Sequence, residues 1–334
     1  MKIRGVLLIA TALIVAPFVV EATMGNAWVR LLDFALLYVM LALGLNIVVG
    51  FAGLLDLGYI AFYAVGAYFY ALLASPHFGI HWPIWAILPL GALTAGVFGV
   101  LLGAPTLRLR GDYLAIVTLG FGEIIRIFIN NLNAPFNLTN GPKGIANIDP
   151  GVVTGLPIPS TILYYYLFVV LVLLIVFIGL RLQNSRIGRA WVAIREDEMA
   201  AKACGIHTRN VKLAAFAMGA SFGGVAGGLF ASFQTFVSPE SFGLMESVMV
   251  LCMVVLGGMG HIPGVILGAV MLTVLPEIFR QSAGPMQQAI FGTVVLDPEA
   301  LRMLLFGVAL IVVMRYRPAG LWPEQRHRRE FVAP

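Results

Sequence analysis

The chain has 334 residues, of which 60% are hydrophobic and only 11% are charged. A soluble domain carries about 25% charged residues, so a soluble enzyme and a nucleic-acid-binding protein are excluded. The two cysteines, Cys204 and Cys252, are too few for a disulfide framework or a zinc site. This composition predicts an all-α integral membrane protein, built as a polytopic helical bundle.

The apolar stretches predict eight to ten transmembrane helices, several of them short or broken by Gly and Pro. A helix needs about 20 mostly apolar residues to cross the hydrocarbon core. In chain order the predicted spans are 5–20, 31–50, 57–75, 84–104, 112–130, 161–181, 210–235, 244–260, 264–280 and 299–314. We interpret the first as a retained helix, because no signal-cleavage motif follows it.

Basic residues indicate the orientation of the bundle. Sixteen of the 21 Lys and Arg residues fall on one side of a ten-span arrangement. They are Lys2 and Arg4, Arg108 and Arg110, seven residues of the loop 181–212, and five of the C-terminal residues 315–334. In the loops on the other side, Lys143 is the only Lys or Arg residue. The positive-inside rule therefore predicts that both termini are cytoplasmic and that the loop 131–160 is external.

The largest polar loop, residues 181–212, predicts a short amphipathic helix over 189–204. Good helix formers fill this stretch, and Gly205 is placed to end the helix. Its apolar stripe consists of Trp191, Ile194, Ala201 and Cys204. The three acidic residues 196–198 disfavour contact with an anionic membrane surface. We therefore expect this helix to dock on another protein rather than to be an ordinary solvated loop.

Several segments together resemble a known family. Glu198, Ala200, Ala201 and Gly205, with Met199 inserted, resemble the E-A-A-x-x-x-G loop through which ABC importer permeases contact their ATPases. The more specific segments are GDYLAIVTLGFGEIIR at 111–126, Asn130-Asn131, TNGPKGI at 139–145, and the run 185–205. In combination they resemble the LivM-type permeases of branched-chain amino acid ABC importers. The resemblance covers roughly residues 30–320.

This resemblance implies a single permease domain, 1–320, followed by a cytoplasmic basic tail, 321–334. It implies a bacterial cytoplasmic-membrane protein that forms a translocation path with a second, LivH-type permease. Two cytoplasmic P-loop ATPases and a periplasmic or extracellular substrate-binding protein would complete the importer. ATP and magnesium would bind to the ATPases, because this chain has no P-loop motif. The chain itself would then be neither an enzyme nor the holder of a cofactor or metal.

The same resemblance assigns ATPase docking to the loop 181–212. The residues expected to dock are Arg195, Glu196, Glu198, Ala200, Ala201 and Gly205.

Polar residues within the spans are candidates for the translocation path or a gate. Glu123 and Arg126 are three residues apart and share a helix face. Because a charge at bilayer depth costs at least ~2.5–3.5 kcal/mol, they either line a polar path or form a structural ion pair. Thr118 and Asn46 either line the path or form hydrogen bonds between helices.

Other features of the spans are interpreted as structural. Asp56, Asp112 and Glu246 lie near predicted helix ends, and acidic residues suit helix N-termini. Glycines at four-residue spacing in 223–228 predict close helix packing. The run His261-Ile262-Pro263-Gly264 predicts a break between two spans.

The external loop 131–160 is rich in Asn, Gly and Pro and carries few charges. Loops of this length usually have a function or are disordered. We expect Asn140, Gly141 and Lys143 to contact the substrate-binding protein.

Two alternatives stay open. A permease of the same family for urea or short-chain amides would have much the same sequence. A secondary transporter, driven by an ion gradient, would need a buried titratable carboxylate with access to both sides. Glu123 is the candidate for that group, although Arg126 beside it opposes proton uptake. An integral membrane enzyme ranks last, because no cluster of catalytic residues is visible.

Overall fold

A computed structural model describes residues 3–106, 109, 111–133, 137–153, 156–157 and 161–291. Near the C-terminus it also describes residues 304, 307, 308, 311, 315–317 and 320–322. The predicted span 299–314 and the basic tail 321–334 lie largely outside the described residues. Lys2, Arg108 and Arg110 also lie outside them.

Helices dominate the part of the chain that the structure describes. They are α1 (Ile3–Met24), α2 (Asn26–Leu45), α3 (Ile60–Leu73), α4 (Ile84–Thr106), α5 (Asp112–Asn131), α6 (Thr161–Gln183), α7 (Arg186–Glu196), α8 (Glu198–Ala203), α9 (Thr208–Gln234), α10 (Leu244–Gly257) and α11 (Ile262–Phe291). A π-helix (Asn46–Phe51) continues α2, and 3-10 helices lie at Gly141–Lys143 and Pro239–Phe242.

Within the described ranges, six two-residue strands form three antiparallel pairs in the connections. The strands are β1 (Ala74–Ser75), β2 (Ile80–His81), β3 (Ile145–Ala146), β4 (Val152–Val153), β5 (Leu156–Pro157) and β6 (Phe236–Val237). β1 pairs with β2, β3 with β6, and β4 with β5. In the β3–β6 pair, Ile145 lies opposite Val237, which ties the loop 131–160 to the segment after α9.

The predicted class, a polytopic helical membrane protein, is confirmed. Among the described residues, five segments are long and apolar enough to cross a membrane: Asn26–Phe51, Ile84–Thr106, Thr161–Gln183, Thr208–Gln234 and Ile262–Ser282. Nine of the ten predicted spans coincide with α1 to α6 and α9 to α11. Two of these, α3 and α10, have only 14 residues each. At 1.5 Å per residue each is about 21 Å long, too short for a full crossing.

The central helix of the bundle is α9, which packs against α2, α3 and α4. Small residues allow this close packing. A Cβ atom on Gly224 would lie 2.5 Å from the Cβ of Ala95 in α4. A Cβ on Gly227 would lie 2.0 Å from the carbonyl oxygen of Tyr63 in α3. The predicted packing role of these glycines is therefore confirmed.

The two ends of α9 define the two ends of the bundle. The helices α7 and α8 precede α9 at one end, which we call the basic end because it carries the loop 181–212. The strand pair β3–β6 lies at the other end, which we call the opposite end and which carries the loop 131–160. With 27 residues, α9 separates these ends by about 40 Å.

The half-length helices α3 and α10 begin inside the bundle. The Tyr38 hydroxyl of α2 donates a hydrogen bond to Oε2 of Glu246, in the first turn of α10, at 2.9 Å. Tyr38 lies about 18 Å along α2 from its first residue. The backbone N–H of Ile60, the first residue of α3, donates to Oγ of Ser247 at 3.2 Å. The N-termini of α3 and α10 therefore meet near mid-depth.

Candidate functional site

The loop at the basic end contains two helices where the sequence predicts one over 189–204, so this prediction is wrong in that respect. Asp197 separates them in an extended conformation, with φ −154° and ψ 112°. Its Oδ1 accepts hydrogen bonds from the backbone N–H groups of Met199, at 2.7 Å, and Ala200, at 3.1 Å. An aspartate N-cap of this kind starts a new helix. Gly205, with φ +81°, follows the end of α8, as predicted.

The apolar stripe of this loop faces the bundle rather than a partner. Three of its four members are buried against the chain itself: Trp191, Ile194 and Ala201. The Trp191 ring stacks on Phe51 of the π-helix, with centroids 6.5 Å apart and planes 11° apart. Its Nε1 donates a hydrogen bond to the carbonyl oxygen of Val211 at 2.7 Å. Cys204, the fourth member of the predicted stripe, is exposed.

Arg195 connects α7 directly to the π-helix. Its Nη1 donates a hydrogen bond to the carbonyl oxygen of Gly50. The side chain also covers Gly53, where a Cβ atom would lie 2.7 Å from Cγ of Arg195. Carbonyl groups at a helix C-terminus lack intrahelical partners. The guanidinium therefore supplies a partner at the end of the α2 π-helix, and this predicted docking residue reaches into the bundle.

Glu198 fixes α8 to the start of α9. Its carboxylate lies 2.9 Å from Nζ of Lys212 and 3.1 Å from Nζ of Lys202. Burial raises the pKa of Glu198, but the hydrogen bonds from Lys212 and Lys202 outweigh it and lower this pKa to about 2. Because the Lys212 side chain is only 6% exposed, the ion pair is an internal joint rather than a surface contact.

The part of this loop that remains exposed lies on the outer side of α8. The exposed residues of α8 and its flanks are Glu196, Asp197, Met199, Ala200, Lys202, Ala203, Cys204 and Gly205. Of the predicted docking residues, Ala201 is buried, and Arg195 and Glu198 are half-buried with partners in this chain. Met199 was not predicted to dock. An exposed apolar Met199 beside three acidic residues is the signal that could have identified it.

Two of the predicted path residues anchor the segment between α2 and α3, residues 46–59, which we call the crossover segment. It consists of the π-helix and an irregular stretch. Asn46 is buried, and its Oδ1 accepts a hydrogen bond from the backbone N–H of Gly260 at 2.8 Å. Thr118 of α5 is also buried, and its Oγ1 accepts one from the backbone N–H of Leu57 at 3.0 Å. Both side chains thus join separate elements.

Glycine is required at one position of the π-helix. A Cβ atom on Gly50 would lie 2.0 Å from Oδ1 of Asn46 and 2.6 Å from the backbone nitrogen of Gly260. The close approach at Gly50 therefore holds the crossover segment against the turn between α10 and α11. The predicted break at 261–264 falls at this turn and is confirmed.

Asp56 lies in the irregular part of the crossover segment and not at the start of a helix, because α3 begins four residues later at Ile60. It is wholly buried, and its Oδ1 accepts a hydrogen bond from the backbone N–H of Gly58 at 2.9 Å. This Asx-type bond stabilises the local turn. Asp112 and Glu246 do lie in the first turns of α5 and α10, as predicted.

Glu123 and Arg126 form the expected ion pair on α5, but away from Asn46 and Thr118. Nε of Arg126 lies 3.0 Å from Oε1 and 3.1 Å from Oε2 of Glu123. The Glu123 side chain is 39% exposed and that of Arg126 is 37% exposed. The pair lies on the edge of the outward face of α5, whereas Thr118 points into the bundle.

The three residues predicted to contact a binding protein lie at the opposite end. The Asn140 side-chain amide donates to the carbonyl oxygen of Gly144 at 2.9 Å, so it holds the loop's own turn. Gly141 is buried and Lys143 is exposed. Lys143 is therefore the most exposed of the three, because Asn140 is half-buried.

Comparison with known proteins identifies the family. The family model described as branched-chain amino acid transport system / permease component matches residues 27–314. The high-affinity branched-chain amino acid transport system permease protein LivM of Escherichia coli (strain K12) is 42% identical over 333 residues, covering 93% of this chain and 72% of that protein. A probable LivM of Methanocaldococcus jannaschii is 29% identical over 79% of this chain and 74% of its own length.

A second group of relatives carries a different name. The permease protein LivH of Salmonella typhimurium is 28% identical over 257 residues, covering 71% of this chain and 80% of that protein. No solved structure matches the chain. With a family model covering most of its length and a LivM relative 42% identical, this chain belongs to the permease components of branched-chain amino acid transport systems.

Proposed function

We propose that this chain is the permease subunit of an ATP-driven importer of branched-chain amino acids, and that it forms the translocation path with a second, LivH-type permease. The family match and the names of the LivM and LivH relatives support this function. Two separate P-loop ATPases bind ATP and magnesium, and a periplasmic binding protein delivers the substrate. The permease chain itself performs no catalysis.

The proposed setting is the bacterial cytoplasmic membrane, with the basic end in the cytoplasm. Support comes from the seven basic residues between 181 and 212, against the single Lys143 in the loop 131–160. The positive-inside rule then places the opposite end outside, where Lys143 meets the binding protein.

One observation carries the mechanism: α7 is fastened to the crossover segment at two points. The Trp191 ring stacks on Phe51, and the Arg195 guanidinium binds the Gly50 carbonyl. ATPases docked on the exposed side of α8 would therefore move α7 and the π-helix as one body. Chains of packed side chains and hydrogen bonds of this kind carry coupling between sites.

From the crossover segment the movement has two routes into the bundle. The Asn46–Gly260 hydrogen bond leads to the turn between α10 and α11. The Leu57–Thr118 hydrogen bond leads to α5, the helix that carries Glu123 and Arg126. In this mechanism Asn46 and Thr118 act as joints, and the half-exposed ion pair lines the path that the two permeases enclose.

Reconstitution into proteoliposomes tests the function. The complex of this chain, a LivH-type permease, two ATPases and a binding protein should take up radiolabelled leucine only when ATP is supplied. Unlabelled isoleucine and valine should compete, whereas urea and acetamide should not.

Two outcomes would contradict the proposal. Uptake by the purified chain alone, driven by a proton or sodium gradient, would identify a secondary transporter. ATP-driven uptake of urea or acetamide without uptake of leucine would identify an amide permease of the same family.

A further inference from the structure

The outward face of α5 is apolar but carries charge at its edge. Its strongly exposed residues are Tyr113, Ile116, Val117, Ile124, Ile127 and Phe128, which we call the α5 face. Glu123 and Arg126 lie beside this face. They are about 17 and 21 Å from the start of a helix about 30 Å long, at 1.5 Å per residue. The ion pair therefore lies within the length of α5 and not at either of its ends.

A charged pair at this depth is unsuited to contact with acyl chains. The penalty for a charge at the bilayer centre is at least ~2.5–3.5 kcal/mol, and such residues face protein or water-filled cavities. The exposed sides of α4 and α6 are different. Leu93 and Leu101 of α4, and Val170 and Leu173 of α6, are exposed without a charged neighbour on the same stretch. Those two sides suit lipid, whereas the α5 face does not.

The N-terminus of α10, which lies beside α5, also has polar groups that need partners. α10 packs against α5 and begins near mid-depth, as the Tyr38–Glu246 hydrogen bond shows. Within the described part of the chain no side chain caps its N-terminus, and Met245 in its first turn is 80% exposed. The first N–H groups of a helix lack intrahelical partners, and hydrocarbon cannot supply them. Protein or enclosed water must therefore cover this helix start.

We infer that the second permease covers the α5 face and the start of α10, and that the translocation path runs between the two subunits there. This inference rests on the proposed function. The chain is 28% identical to a LivH over 71% of its length, so a LivH-type partner shares its fold. Subunits of one fold that pair about a twofold axis use equivalent faces. The ion pair then faces the corresponding surface of the partner across the path.

Gly120 leaves room for the second permease to approach α5 closely. It lies on the outward side of α5, and a Cβ atom added there would have no neighbour within 4 Å among the residues that the structure describes. A large side chain at 120 is therefore tolerated by the isolated subunit and obstructs only a partner.

Site-specific photo-crosslinking tests the surface in the assembled complex. p-Benzoylphenylalanine replaces Ile124 or Phe128 on the α5 face, with Leu173 of α6 as the control at similar depth. We expect adducts with the second permease from 124 and 128 and none from 173. An adduct only from 173, adducts with a second copy of this chain, or no adduct from 124 and 128 in a co-purifying complex would overturn the inference.

A substitution gives an independent readout. Gly120→Trp should reduce co-purification of the second permease at least tenfold while leaving the melting temperature of the isolated chain unchanged. Leu93→Trp, on the outward side of α4, should leave co-purification intact. Equal recovery of the partner with both variants would refute the surface. If the complex imports leucine with ATP but the adducts form elsewhere, only this surface is wrong; uptake without ATPases would refute the function itself.

Discussion

Replacing Arg195 with alanine breaks the polar contact between α7 and the crossover segment. The substitution removes the guanidinium and leaves the buried Gly50 carbonyl without this donor. A hydrogen bond to a charged group contributes about 1.5–3 kcal/mol. If this bond passes movement from the docking helix to the π-helix, its loss weakens coupling by about tenfold to about a hundredfold, since 1.4 kcal/mol is a factor of ten.

The assay is leucine uptake per ATP hydrolysed, in proteoliposomes with matched amounts of complex. We expect Arg195→Ala to lower this ratio at least tenfold while the ATPases still co-purify, and Arg195→Lys to retain part of the coupling. Arg189→Ala is the matched control, because the Arg189 side chain binds the Asn184 carbonyl at 3.0 Å. Wild-type uptake per ATP in Arg195→Ala, or an equal loss in Arg189→Ala, would refute transmission through Arg195.

The remaining predictions concern the same end of the bundle. Trp191→Ala should lower the free energy of unfolding by about 3–5 kcal/mol, because a wholly buried indole is lost; denaturant unfolding in detergent measures this. Glu198 has a pKa of about 2, below its ordinary value of 4.5, so its bonds to Lys212 and Lys202 stabilise α8 above pH 4.5. That stabilisation should be lost as the pH falls from 4.5 towards 2, measured as faster amide exchange in α8, and Glu198→Gln should remove the pH dependence. Gly205→Arg should impair ATPase co-purification, because Gly205 is exposed beside Ala200 and has a positive φ that disfavours other residues.

Each of these has a control. Trp191→Phe keeps an aromatic ring at this position but loses the hydrogen bond to Val211, so its destabilisation should be smaller than that of Trp191→Ala. Exchange in α8 that is as pH-dependent in Glu198→Gln as in the wild type would argue against the ion pair. Gly205→Asn tolerates a positive φ and should retain the ATPases. Normal ATPase binding by Gly205→Arg would exclude this end of α8 from the docking surface.

The helical membrane class and most helix positions could be predicted from hydropathy alone. A crossing helix needs a long apolar run, and the positions of nine helices follow from such runs. The half-length of α3 and α10 could not be predicted in this way. Their apolar runs continue into irregular backbone, whose polar groups are satisfied by distant residues. Ser247, 187 positions from Ile60, is one such partner.

The loop 181–212 shows a different limit of prediction from sequence. Its amphipathic pattern correctly predicts that Trp191 and Ile194 share a face, but a pattern does not say what the face contacts. The structure places both against the chain itself. The break at Asp197 had a local signal, since aspartate is a strong N-cap. In the sequence this signal is hidden among three consecutive acidic residues.

Spin-label distances measure most directly whether movement passes from α8 to the crossover segment. With Cys204 and Cys252 replaced by serine, one label at Met199 on α8 or at Leu55 in the crossover segment is paired with a reference label at Phe177 on α6. When the ATPases are trapped with ATP and vanadate, both distances should change together, because α8 follows α7 directly and Arg195 and Trp191 join α7 to the crossover segment. A change at Met199 with no change at Leu55 would show that the docking helices move without the crossover segment, and would contradict the mechanism.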